Sequence, residues 1–97
     1  MSAQIAQPNP CFSLGQIVAT PAALQALDGL ELSPQILINR HVRGDWGDLG
    51  TEDLLANTNA LSSGDRLLSA YHYEGTKFWV ITEWDRSVTT ILLPEEY

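Results

Sequence analysis

The sequence predicts an α+β fold in which two or three short helices precede a three-stranded antiparallel meander. The chain has 97 residues, 44% of them hydrophobic, and this size is typical of one domain. Helix-start signals occur before residue 62, and three runs rich in β-branched and aromatic residues follow residue 65. Residues 1–11 show no periodicity and are expected to form a flexible N-terminal segment, so the domain covers residues 12–97.

The first half of the chain carries one strand pattern and one helix pattern. Apolar residues recur in residues 12–20 and predict a strand that joins the sheet, with Gly15 at a bulge. Thr20 followed by Pro21 fits an N-cap and a first helical position, and Gly29 fits the end of that helix. A short helix over residues 21–29 follows from this pattern.

Two more helices are predicted before the meander. Ser33 and Pro34 repeat the start signal of the first helix, and Gly44 ends the second. Thr51 or Asp48 is expected to cap the third helix, which ends near residue 64. Its predicted buried stripe consists of Leu54, Leu55, Thr58 and Leu61.

The meander is predicted over residues 66–73, 77–84 and 88–93, with turns at residues 74–75 and 85–86. If both turns contain two residues, Thr82 lies opposite Thr89, and Ser69 joins them at one end of the sheet. Both sheet faces are largely apolar, so the helices cover one, and the first strand or a partner covers part of the other. The residues expected in the core are Leu68 or Tyr71, Trp79, Val80, Ile81, Ile91 and Leu92.

Charge and composition limit the classes of function. Twelve acidic residues against five basic ones give a formal net charge of −7, which repels nucleic acid and favours basic partners. No apolar run reaches the ~20 residues of a membrane helix, so a cytoplasmic protein without a membrane partner is expected. The single cysteine, Cys11, excludes an internal disulfide. No phosphate-binding glycine loop is present, and no cofactor is expected.

The most concentrated polar segment covers residues 40–48. His41 is a candidate general acid or base, and the neighbouring arginines can hold a phosphate. The alternative gives these residues structural roles in a helix end, a turn and the core. A metal site at His41, Asp45 and Asp48 is disfavoured because two guanidiniums lie beside it, so no metal is predicted. The candidate binding residues are Arg43, Asp45, Trp46, Asp48 and Arg86.

A second polar set is predicted at one end of the sheet. Under a catalytic interpretation, Arg66 and the hydroxyls of Thr89 and Thr90 position a phosphate for His41. Under a structural interpretation, Arg66 forms an ordinary cross-strand ion pair with Glu83, and the threonines are strand formers. Both interpretations are open from the sequence.

Three segments carry a resemblance to a known family. They are HVRGDWGDL (residues 41–49), RLLSAY (residues 66–71) and WVITEWDRSVTTILLPEEY (residues 79–97). Over residues 12–97 the chain resembles a small bacterial family of hypothetical or plasmid-related proteins. Some members are labelled as the methylation subunit, subunit M, of a type I restriction endonuclease, but this chain has neither the length nor the methyl-donor motif of one.

The order of helices before an antiparallel sheet also resembles, at the level of fold, the small ribonucleases of the barnase, colicin and RelE type. That likeness implies His41 as the acid or base, Arg66 as a phosphate ligand, and Thr89 or Thr90 as a transition-state donor. The sequence therefore leads to two functions. The first is a plasmid- or phage-associated accessory protein that binds a protein partner; the alternative is a metal-independent ribonuclease or toxin-like enzyme acting on RNA. The oligomeric state is left open.

Overall fold

Three helices and a four-stranded sheet make up the fold, in a computed structural model that describes residues 11–97. The predicted α+β class, with helices first and a meander last, is confirmed. Except for Cys11, the predicted flexible N-terminal segment lies outside the described residues. In chain order the elements are β1 (Gln16–Ala19), α1 (Pro21–Gly29), α2 (Pro34–Val42), α3 (Thr51–Ser63), β2 (Leu67–Tyr73), β3 (Thr76–Thr82), β4 (Val88–Leu92) and a 3-10 turn (Pro94–Glu96).

The strands follow the order β1-β4-β3-β2 across the sheet. The three strands of the meander are antiparallel, and Thr82 lies opposite Thr89 as predicted. The turn between β3 and β4 is longer than two residues, because β3 ends at Thr82 and β4 begins at Val88. The N-terminal strand is shorter than predicted and pairs in parallel with β4, which the three intervening helices make possible.

The N-caps of α1 and α2 agree with the sequence prediction, and that of α3 does not. The Thr20 hydroxyl accepts a hydrogen bond from the Ala23 amide at 3.1 Å, and Ser33 caps α2 in the same way, as predicted. The prediction for α3 is wrong: its N-cap is Gly50, which has no side chain to bond. Thr51 is already the first helical residue, and Asp48 is held in the preceding loop by its amide, which donates to the Ala70 carbonyl at 2.7 Å.

All three helices pack against one face of the sheet or its β2 edge. Helices α1 and α2 cover the sheet face that carries Phe78 and Val80, and Ala60 of α3 packs with Trp46 and Leu67. The main core consists of Ala23, Leu27, Leu37, Ile38, Tyr71, Phe78, Val80 and Ile91. Within the described residues no helix is both long and apolar enough to cross a membrane.

The opposite face of the sheet has no helix on it. Its centre is Trp79, which the ring of Tyr97 contacts with a centroid separation of 5.5 Å. Trp79 is partly buried under the C-terminal segment. The prediction of mostly buried core residues is confirmed, because the others are buried: Tyr71, Val80, Ile81, Ile91 and Leu92. This open sheet face consists of Val18, Leu68, Ala70, Trp79, Ile81, Thr90 and Leu92.

Helix α3 is turned differently from the prediction. Its three leucines are exposed, and the buried residues are Asn57 and Ala60. The Asn57 side chain donates to the Leu68 carbonyl at 2.5 Å and accepts from the Leu68 amide at 3.1 Å. The side-chain amide of Asn57 thus satisfies backbone groups at the edge of β2 that no strand pairs with. These two hydrogen bonds fix the orientation of α3, with Asn57 facing the sheet.

Candidate functional site around His41

His41 lies in the last turn of α2 and points into the protein. It has the same orientation as Leu37 and Ile38, since positions three and four residues apart share a helix face. Its exposed fraction is 0%. The rings of Phe12 and Trp46 contact the imidazole edge to face, with centroid distances of 5.1 and 5.7 Å. The strongest catalytic candidate of the sequence is therefore sealed from solvent.

Both imidazole nitrogens are hydrogen-bonded to buried hydroxyls. Nδ1 lies 2.6 Å from Ser69 Oγ, and Nε2 lies 2.8 Å from Thr82 Oγ1. Thr82 Oγ1 is in turn 2.7 Å from Thr89 Oγ1. The Thr89 hydroxyl donates to the Leu14 carbonyl at 2.7 Å. We call His41, Ser69, Thr82 and Thr89 the histidine network.

The direction of each hydrogen bond follows from the end of the histidine network. The single proton of the Thr89 hydroxyl goes to the Leu14 carbonyl, so Thr82 must donate to Thr89. With its own proton used, Thr82 can only accept from Nε2–H, and Ser69 then donates to the bare Nδ1 of His41. Every group is satisfied when His41 is neutral and carries its proton on Nε2.

Burial, together with the smaller effect of the positive charge of Arg86, lowers the pKa of His41 to about 3. Near neutral pH the imidazole is therefore neutral. Protonating Nδ1 would force Ser69 to give up its role as donor, so the histidine network also opposes the charged form. A group in this state neither donates to nor accepts from a molecule in solution.

The other predicted catalytic residues do not reach the imidazole. The Arg66 guanidinium donates to the Tyr97 hydroxyl. Thr90 lies on the open sheet face, one residue out of phase with Thr89. Only Thr89 belongs to the histidine network, and its hydroxyl is fully engaged there. Because His41 is buried, it does not form the arrangement expected of a ribonuclease, an exposed imidazole beside an arginine and a hydroxyl.

Most of the candidate binding residues between positions 40 and 48 contact other parts of the protein. Asp45 pairs with Arg40 at 2.7 Å, and this guanidinium lowers the pKa of the Asp45 carboxyl. Arg43 donates to the Asn39 carbonyl at 3.1 Å. Trp46 is buried, and the Asp48 carboxylate stays at the surface. No group of three His, Cys, Asp or Glu side chains within the described part of the chain is placed to hold a metal ion.

Arg86 has a role that the sequence did not predict. Its guanidinium donates to the backbone carbonyls of Ala60, Asp65, Glu83 and Trp84. It thus joins the turn between β3 and β4 to the end of α3. Arg86 has a left-handed backbone conformation, with φ of 59°. Its link to α3 gave no recognisable signal in the sequence, because the carbonyls of Ala60 and Asp65 are 26 and 21 positions away along the chain.

Comparison with family models, curated proteins and solved structures finds no match for this chain. The resemblance to a plasmid-related family and the likeness to small ribonucleases therefore stay predictions. What the chain can do is inferred from its own buried and exposed side chains.

We expect the protein to lose stability as the pH falls, because His41 is held neutral in the folded state. The unfolded chain takes up a proton on His41 near the ordinary pKa of 6.5, whereas the folded chain does so only near 3. Between those values the unfolded state binds more protons, so unfolding becomes easier in acid. We expect a loss of about 2–3 kcal/mol between about pH 7.5 and about pH 4.5, measured by urea denaturation.

The folded His41→Gln variant is the control for this measurement. Its stability should change much less over the same range, because Gln does not titrate. The range stays above the titration of Asp45, whose pKa is already lowered. An equally steep loss in wild type and variant would show that another group controls the acid sensitivity.

Proposed function

We propose that this protein is a small accessory protein that binds another protein through helix α3. The observation that carries the proposal is a set of three leucines on one helix that the fold leaves in solvent. The exposed fractions of Leu54, Leu55 and Leu61 are 37%, 60% and 38%. Large apolar side chains clustered on a surface are typical of interaction sites. We define the α3 surface as Leu54, Leu55, Thr58 and Leu61.

The orientation of α3 brings part of this surface next to the open sheet face. Ala60 packs towards the covered side of the sheet, and Asn57 bonds the backbone at the β2 edge. Leu61 and Leu54 follow Asn57 about 40–60° further around the helix, so they lie on the side where no helix covers the sheet. The α3 surface and the open sheet face therefore border one another.

The charge around α3 indicates the chemistry of the partner. Residues 46–65 contain four acidic side chains and no lysine or arginine. An apolar surface within this negative field fits a protein segment that presents apolar and basic side chains. The same field opposes the phosphates of RNA or DNA. The acidic residues are Asp48, Glu52, Asp53 and Asp65.

The ribonuclease alternative receives no support from the site geometry. Acid–base catalysis requires a group within hydrogen-bond reach of the substrate, directly or through one water. His41 is sealed and both of its nitrogens are occupied. Protein binding through α3 needs no rearrangement of the core, so it is the function that we put forward.

The proposal is tested with a synthetic amphipathic helix of leucine and lysine as the probe. We expect it to bind the wild-type protein, and we expect the double variant Leu54→Asn with Leu61→Asn to bind it at least about tenfold more weakly. Fluorescence anisotropy measures the affinity, and amide chemical shifts map the contact to α3. A matching peptide of leucine and glutamate should not bind.

Ile36→Asn is the matched control, because Ile36 is 44% exposed on another helix. It should bind the leucine–lysine probe as well as wild type does. Equal binding by the α3 double variant would overturn the proposal. So would cleavage of RNA in the presence of chelator by wild type but not by folded His41→Gln, which would favour the ribonuclease instead.

A further inference from the structure

Within residues 11–97, strand β1 is an edge strand of the sheet, and some of its backbone groups point away from β4. The amides of Gln16 and Thr20 point towards β4 and donate to the carbonyls of Ser87 and Ile91, each at 3.0 Å. In a parallel pair, alternate residues bond the same neighbour, so the amide and carbonyl groups of Ile17 and Ala19 point outward. Within residues 11–97 no strand lies beyond them.

The opposite edge of the sheet is closed. At β2, the Asn57 side chain occupies the backbone groups of Leu68. Two residues further along β2, the Ala70 amide donates to the Trp46 carbonyl at 3.0 Å, and the Ala70 carbonyl accepts from the Asp48 amide. Sheet proteins commonly block exposed edges in this way, because an open edge pairs with other chains. Over the part of the chain that the structure describes, residues 11–97, the β2 edge is thus protected and the β1 edge is available.

Three of the four side chains of β1 are apolar, and the fourth is Gln16. Ile17 and Val18 are 46% and 38% exposed, and the strand contains no charged residue or proline. Leu24 of α1 is 45% exposed. Strand pairing here would also bury apolar surface.

We propose that the β1 edge pairs with the β1 edge of a second copy of this chain. An antiparallel pair centred on Val18 is self-complementary: Ile17 of each copy lies opposite Ala19 of the other, so a large side chain meets a small one. The outward amide and carbonyl groups of Ile17 and Ala19 then bond in reciprocal pairs. The two four-stranded sheets become one sheet, related by a two-fold axis.

The negative charge of the chain does not prevent this pairing. One acidic group, Glu96, lies at the end of β1, where it accepts from the Thr20 hydroxyl at 2.7 Å. The two-fold axis places the two copies of Thr20 at opposite ends of the strand pair, about 13 Å apart. That exceeds the Debye length of about 8 Å at physiological salt. Since the remaining repulsion is long-range, added salt should strengthen the dimer.

Sedimentation equilibrium of the full chain tests the proposal. We expect reversible dimerisation, and we expect Val18→Lys to weaken it at least about tenfold, because two like charges would meet at the two-fold axis. Leu55→Lys is the control: it makes the same chemical change at an exposed site on α3 and should leave the dimer affinity unchanged. Circular dichroism establishes that both variants fold.

Two results would overturn the proposal. One is a wild-type chain that stays monomeric at every concentration measured; the other is a dimer that Leu55→Lys weakens and Val18→Lys does not. Amide hydrogen exchange gives a test without substitution. The Ile17 and Ala19 amides should exchange more slowly at high protein concentration than at low, and equal rates would also contradict edge pairing. Binding of the leucine–lysine peptide is independent of either outcome.

Discussion

Replacing His41 with alanine is expected to lower the free energy of unfolding by about 3–5 kcal/mol. The change opens a cavity between Phe12 and Trp46, whose rings contact the imidazole. It also leaves the Ser69 hydroxyl without its acceptor and Thr82 without its donor. Because all of these groups are away from solvent, water cannot replace the lost hydrogen bonds without entering the core.

Chemical denaturation of His41→Ala beside His72→Ala measures this effect. The second histidine is exposed on β2, so its removal is expected to change stability by no more than about 0.5 kcal/mol. A similar small change in both variants would mean that the histidine network contributes little to the fold. His41 would then have to be reconsidered as an accessible group.

Gly47→Ala is expected to destabilise the protein by more than about 3 kcal/mol. Gly47 has a φ of 74°, in the region where a side chain is strained. It also forms an isolated bridge to Ala70 of β2. A Cβ atom there would overlap the Ala70 carbonyl and come within 2.7 Å of the Tyr71 ring. Neither the backbone nor the buried ring can move aside cheaply.

Gly75→Ala is the control that separates the cost of the left-handed backbone conformation from the cost of the steric overlap with β2. Gly75 has a similar φ of 84°, but a Cβ atom there meets nothing within 4 Å. It should therefore show the conformational cost alone, about 1–2 kcal/mol. The difference between the two variants, from denaturation under the same conditions, reports how closely the loop packs on β2. Equal losses would contradict the close approach of Gly47 to the strand.

The sequence predicted those parts of the fold that local signals determine. Thr20 and Ser33 cap their helices as expected, because an N-cap depends only on a few neighbouring residues. The pairing of Thr82 with Thr89 was predicted from a two-residue turn at residues 85–86, and the longer observed turn keeps the same register.

The parts that the sequence did not predict depend on distant contacts. The leucines of α3 have helical spacing, but the orientation of the helix is determined by Asn57 and its bonds to Leu68. The same limit applies to the candidate site. Under the catalytic interpretation, His41 was expected beside an arginine and the hydroxyls of Thr89 and Thr90. The imidazole instead bonds Ser69 and Thr82, and Thr89 joins them only through Thr82. The burial of His41 by Phe12 and Trp46, which decides its chemistry, could not be inferred from spacing.

The pairing of β1 with β4 has a consequence for the order in which the chain acquires structure during synthesis. The Thr89 hydroxyl bonds a carbonyl 75 positions earlier, at Leu14, and Thr20 bonds Glu96 across 76 positions. Helices form within microseconds, and hairpins with short turns form soon afterwards, whereas such distant contacts close late. Thr89 must therefore have left the ribosome before the hydrogen bonds that support His41 through Thr82 are complete. Until then the helices can exist only as a loosely held intermediate, and a chain that stops before β4 cannot complete the core.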